Sequence, residues 1–153
     1  MNSTQQNEPA DFIWTDAFLL GFAQIDDVHR EFVDVVNAML HCSDDDFLHV
    51  LDNFTDHAKR HFNTEDAWMN ETNFPASDCH IAEHAEVMKS TQEVRQRVEN
   101  GDIAIGRAFA IELTRWFPGH ATYLDSALAQ WMFRRQHGGK PIVFRRDISS
   151  NKS

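Results

Sequence analysis

Four stretches of this chain repeat apolar residues at i, i+3, i+4 and i+7, and each spends inward positions on histidine or carboxylate. In the second, Phe47, Leu51, Phe54, Ala58, His61, Phe62, Glu65, Trp68 and Met69 share a face, so an imidazole and a carboxylate four apart project side by side. Ile25, Val28, His29, Phe32, Val36, Met39 and Leu40 predict a first helix from about Asp26 to His41. A third stripe runs through His80, His84, Val87, Met88, Thr91, Val94 and Val98. The fourth carries Ile105, Phe109, Leu113, Trp116, His120, Leu124, Leu128 and Trp131.

The punctuation between the stripes agrees with this division. Asp44, Asp45 and Asp46 can cap the second helix. Asn73 to Ser77 reads as a break, with Ser77 or Asp78 capping the third helix. Asn100-Gly101 stops that helix, and the fourth starts near Asp102 and ends by Gly138-Gly139. Within it, Pro118 removes a backbone hydrogen bond and is expected to kink the helix just before His120. No strand pattern of comparable strength is present. The fold class expected is all-α, an antiparallel up-down-up-down four-helix bundle with an N-terminal arm and a short C-terminal tail. Residues 1–10 read as a flexible N-terminus, 11–135 as the bundle with its arm, and 136–153 as a basic tail. The arm's Phe12, Ile13, Trp14, Phe18, Leu19, Leu20 and Phe22 have too much apolar surface to leave in water and should pack over the core.

At 153 residues, with 12 Phe and 4 Trp, the chain can bury one core without disulfide support. No apolar run approaches the roughly 20 residues needed to span a bilayer, so no stable membrane insertion is expected. Met1 to Asp11 is polar and acidic without an apolar core of its own, and Cys42 and Cys79 form no CxxC pair, so a cytoplasmic setting is expected. The net charge is −10, and six of the 14 basic residues fall in the last twenty positions. The remaining body is therefore strongly acidic, which disfavours nucleic acid and anionic membrane as partners.

His29, His61, His80, His84 and His120, with Glu65 and Asp125, put seven potential ligands at similar depth on four helices. Buried unpaired imidazoles and carboxylates are costly, and a metal accounts for all seven together. Imidazole and carboxylate without thiolate suit iron, manganese or zinc, and two carboxylates able to bridge suit a pair of ions. Neither Glu-x-x-His nor His-Glu-x-x-His occurs, which disfavours ferritin-like di-iron and zinc-protease sites. His57 also stands four before His61, but at the edge of the stripe, and is expected to back that ligand or to lie at the surface. His41, His49 and His137 are expected in solvent.

From about Phe12 to Trp131 the chain resembles the hemerythrins, their bacterial branch in particular. The matching pieces are Trp14, Ile25-Asp26 before His29, His61-Phe62-x-x-Glu65, His80-x-x-x-His84, and Trp116 before His120-x-x-x-x-Asp125. The resemblance implies two iron ions, oxo- or hydroxo-bridged, with His80, His84 and His120 on one, His29 and His61 on the other, and Glu65 and Asp125 bridging. One coordination position then stays open at the two-histidine iron, which implies reversible dioxygen binding for carriage, storage or delivery. The alternative is an oxygen or iron sensor, or a di-iron enzyme with peroxidase or nitric-oxide-handling activity; no further inward carboxylate is evident to serve as an acid or base. An oxygen-consuming or signalling partner is compatible with either reading. Phe32, Phe62 and Trp116 would wall the oxygen pocket, and Ala121, where family members usually have Ile, would leave it roomier.

Overall fold

The computed structural model describes residues 11–137; the N-terminal ten residues and the basic segment from 138 onward lie outside the described residues. Helix α1 spans Ala23–His41, α2 Asp44–Glu71, α3 Ser77–Glu99 and α4 Ile103–His120, and a π-helical turn at Ala121–Asp125 continues α4 into α5, Ser126–Gln136. The bundle is all-helical, with α1 packed on α2 and α4, and α3 packed on the same two neighbours. Short connections between long helices force antiparallel neighbours, which is the expected up-down-up-down arrangement. Among the described residues no helix is long and apolar enough to cross a membrane.

Helix starts differ in detail from the sequence expectation. Helix α1 begins at Ala23, three residues before Asp26, because the buried Asp26 carboxylate turns back to accept the Leu20 and Gly21 amides at 2.8 and 3.1 Å. For α2 the cap is Ser43, whose Oγ accepts the Asp46 amide at 3.2 Å, and the three aspartates form the first turn, where they face the positive end of the helix dipole. Neither Ser77 nor Asp78 caps α3: the cap position is Ala76, without a side-chain bond. Asp102 does cap α4, accepting the Ile105 amide at 3.2 Å. Gly101, at φ +100, ends α3 as expected.

The inward face of α4 keeps Leu113 and His120 from the expected stripe but otherwise moves by one residue. Gly106, Ala110, Leu113, Phe117 and His120 are buried, while Ile105, Phe109 and Trp116 are partly exposed. The cause is close approach: a Cβ on Gly106 would collide with the Phe47 ring and stand 2.8 Å from Val98 Cγ2, so only glycine lets α4 seat at this depth.

Two apolar clusters fill the interior. The larger includes Phe32, Val36, Leu51, Phe54, Phe62, Leu113 and Phe117, and receives Phe12 from the arm, with Trp14 and Phe18 packed against it. The smaller gathers Phe22, Ile25, Met69, Phe74, Leu128 and Ala129. Ile25 and Phe32 flank His29, Phe62 and Met69 flank Glu65, and Ala121 and Leu128 flank Asp125, one residue of each pair from each cluster. The site is thus a polar layer sealed above and below by apolar side chains.

Candidate metal centre

All seven candidate ligands are buried in this layer. On α2, the spacing of four places His61 Nε2 2.8 Å from Glu65 Oε2. On α3, the same spacing brings His80 and His84 into ring contact, with Nε2 atoms 3.4 and 3.3 Å from Glu65 Oε1. His29 Nε2 lies 2.8 Å from Asp125 Oδ2, while His80 Nε2 and His120 Nε2 lie 2.8 and 3.1 Å from Asp125 Oδ1. Each carboxylate therefore turns one oxygen toward His80, His84 or His120 and the other toward His29 or His61.

His120 and Asp125 are five apart, which on a regular α-helix would set them about 140° apart. The π-helical turn corrects this. The Ser126 amide reaches Ala121 O across five residues, and the widened turn puts both side chains on one face. Helix α4 continues through Pro118, and the π-helical turn that follows brings His120 and Asp125 to one face.

Close as they are, most of these atoms do not hydrogen-bond to one another. Among the described residues, Nε2 of His29, His80, His84 and His120, Glu65 Oε1 and both Asp125 oxygens are buried without a hydrogen-bond partner. Lone pairs that converge without pairing are expensive in a dry interior, and they are what a cation requires. Two groups of donor atoms lie mutually within 4.8 Å: Glu65, His80, His84, His120 and Asp125 in one, and His29, His61 and Glu65 in the other. The donor set fits metal, and the chain carries a buried His/Glu/Asp metal-binding cluster.

Electrostatics in the metal-free chain follow the same geometry. Burial works against charge on Glu65 and Asp125, but the imidazoles around them win and hold both below the ordinary carboxylate range. Burial likewise works to lower His80, yet the adjoining Asp125 and Glu65 carboxylates raise it to about 9, and Glu65 raises His61.

The surroundings hold several residues that the sequence pattern did not single out. Asp66 Oδ1 accepts from His84 Nδ1 at 2.8 Å, and Glu83 Oε1 accepts from His120 Nδ1 at 2.7 Å and from Trp116 Nε1 at 3.0 Å. These are two further carboxylates beside the cluster, where none was evident from the stripes; each is the chain neighbour of a candidate ligand, which was the available signal. Trp116 stacks on His120 at 4.3 Å and Phe62 on His84 at 4.1 Å. Phe32 stacks on Phe117 at 4.9 Å, and Phe117 meets His29 edge-on at 5.0 Å. Phe117 belongs to the shifted α4 face and so escaped the expected stripe. Ala121 is buried at the head of the π-helical turn within the larger apolar cluster.

His57 is not at the surface. It is 4% exposed, its ring 5.7 Å from that of His61 and its Nδ1 3.6 Å from the Glu31 carboxylate. Burial, followed by the nearby His61, lowers its pKa to about 4. A cavity of about 320 Å³ between α1 and α2 is lined by His57, His61, Glu65 and Arg60. His41 and His49 are exposed, the former 2.8 Å from Asp11, and His137 is exposed against Phe133.

Residues 20–132 match the family model for the hemerythrin HHE cation binding domain. Bacteriohemerythrin of Ralstonia nicotianae is 38% identical over 122 residues, covering 80% of this chain and 89% of that protein. Bacteriohemerythrin of Stenotrophomonas maltophilia is 27% identical over 136 residues, covering 82% and 88% respectively. Because the match runs from the end of the arm through all four helices that carry the cluster, the chain belongs to the hemerythrin family.

Proposed function

We propose that this chain binds dioxygen reversibly at a pair of iron ions, as a carrier, storage or delivery protein that does not turn over a substrate. The observation that supports this most directly is the uneven division of imidazoles about two shared carboxylates, three on one side and two on the other. In the proposed centre His80, His84 and His120 would hold one ion, His29 and His61 would hold the other, and Glu65 and Asp125 would be shared between them. When bound, a ferrous pair supplies the two electrons that dioxygen takes on binding and returns on release.

The chain's own contribution is positional and dielectric. The two-histidine side has one protein donor fewer, which leaves room there for a small ligand. Glu65 and Asp125 bring two negative charges into a layer where uncompensated positive charge would be penalised. Carboxylates only accept, so the Nδ1–H groups of His84 and His120 donate to Asp66 and Glu83, and their Nε2 lone pairs face inward. Phe32, Phe62, Trp116 and Ala121 are proposed as the wall of the oxygen pocket, with Phe117 added because its edge covers His29. Apolar walls on these faces limit the water at the site, which favours release of the ligand unchanged.

The test is an iron count together with the visible spectrum of the reduced protein before air, after air and after removal of oxygen. Two irons per chain and a colour that appears with oxygen and fades without it are expected. One metal per chain, zinc in place of iron, or a colour that never reverses would overturn the reading.

A further inference from the structure

The imidazoles of the cluster are backed unequally. His84 and His120 each donate Nδ1–H to a carboxylate, Asp66 at 2.8 Å and Glu83 at 2.7 Å. Among the described residues, Nδ1 of His29, His61 and His80 is buried without any partner. Two of the three histidines on one side thus lean on an anion, and neither histidine on the other does.

The inequality follows from helix geometry. A residue adjacent in sequence to an inward-facing one points about 100° around the helix, into the seam with the neighbouring helix. Asp66 follows Glu65 and reaches across the α2–α3 seam; Glu83 precedes His84 and reaches across the α3–α4 seam. Glu83 is the more constrained of the two, because the same Oε1 also accepts from Trp116 Nε1, and Trp116 stacks on His120 with planes 25° apart. Carboxylate, imidazole and indole therefore fix one another in a single orientation.

A carboxylate on Nδ1–H pushes electron density toward Nε2 and holds the ring in its ligating tautomer, and removal of such a partner commonly costs about 10- to 100-fold in metal affinity. We infer that Asp66 and Glu83 are positioning residues that make the three-histidine side the tighter of the two metal sites, so that the chain loads that side first and loses metal from the other side first. This rests on the two-metal reading above.

Titrating the metal-free protein with Co²⁺, followed by calorimetry and by visible absorption, should show two successive binding steps. Glu83→Gln and Asp66→Asn keep side-chain size and remove the charge; each should weaken the first step about 10- to 100-fold and leave the second within about twofold. His61→Ala should remove the second step alone. In the Zn²⁺-loaded protein, nitrogen-resolved NMR should show the Nδ1–H signals of His84 and His120 downfield of those of the other three histidines, with Glu83→Gln shifting only that of His120 and Asp66→Asn only that of His84. Circular dichroism of the metal-free variants separates loss of fold from loss of affinity, and the two variants test the same claim at different seams. Two steps left unmoved by both variants, or a loss confined to the second step, would overturn the inference while leaving the two-metal reading intact. A wild-type chain that takes up fewer than two ions would overturn the two-metal reading and the inference with it.

Discussion

His120 and Asp125 stand five residues apart on one helix, yet Nε2 of the first lies 3.1 Å from Oδ1 of the second. The π-helical turn between them makes this possible, at the expense of regular α-helical bonding over Ala121–Asp125. It also lets Asp125 serve both groups of histidines, since its other oxygen faces His29 on α1.

Two histidines four apart on α2 should behave differently. His61→Ala is expected to leave one metal per chain and abolish the oxygen-dependent spectrum, because His61 is one of only two imidazoles on its side. His57→Ala is expected to keep both metals while lowering the melting temperature, since it empties a buried position. Metal analysis and thermal melts of the two variants check this; the reverse pattern would exchange their roles.

The metal-free chain should be most stable between two opposing titrations. His57, lowered to about 4 from 6.5, stays neutral in the folded state while the unfolded chain takes up a proton, so stability falls as pH drops from 6.5 toward 4. His80, raised to about 9, holds a proton that the unfolded chain has already lost above 6.5. Its contribution is fully present below 6.5 and is lost as pH rises through 9. Urea midpoints measured with chelator present should therefore peak near pH 6.5, and His57→Gln should flatten the acid limb alone.

Glycine at two points of α4 should respond oppositely to alanine. At Gly106 a Cβ would press into the Phe47 ring and stand 2.8 Å from Val98 Cγ2, so Gly106→Ala should cost about 1–3 kcal/mol despite the better helix propensity of alanine. At Gly119 nothing lies within 4 Å, and Gly119→Ala should gain about 0.5–1 kcal/mol. Chemical denaturation of the metal-free proteins reads both; equal signs would show that α4 is seated differently.

Ala121 is 2% exposed within the larger apolar cluster. Ala121→Ile adds three carbons there and is expected to destabilise the chain by about 1–3 kcal/mol. Should the urea midpoint hold while air oxidation of the iron-loaded protein slows, the added side chain has instead filled space beside the proposed oxygen pocket.

The apolar periodicity of the chain by itself determined the bundle, because burial of one face per helix is a local property that period 3.6 records directly. The same holds for His61 with Glu65 and for His80 with His84, where a spacing of four is enough to align two donors on one face. His57 shows the limit of that reasoning: its spacing matched, and only packing between α1 and α2 decided that it is buried yet outside the two donor groups. The inward face of α4 was likewise settled by contact, since the depth that Gly106 allows turns Phe117 to the core and Trp116 to the seam. Asp66 and Glu83 could not be identified from the stripes, because they act across seams on histidines 18 and 37 residues distant. What propensity and periodicity encode is which face of a helix is buried; which side chains meet across faces depends on how deeply and at what rotation the helices seat, and that is fixed only when all four pack together.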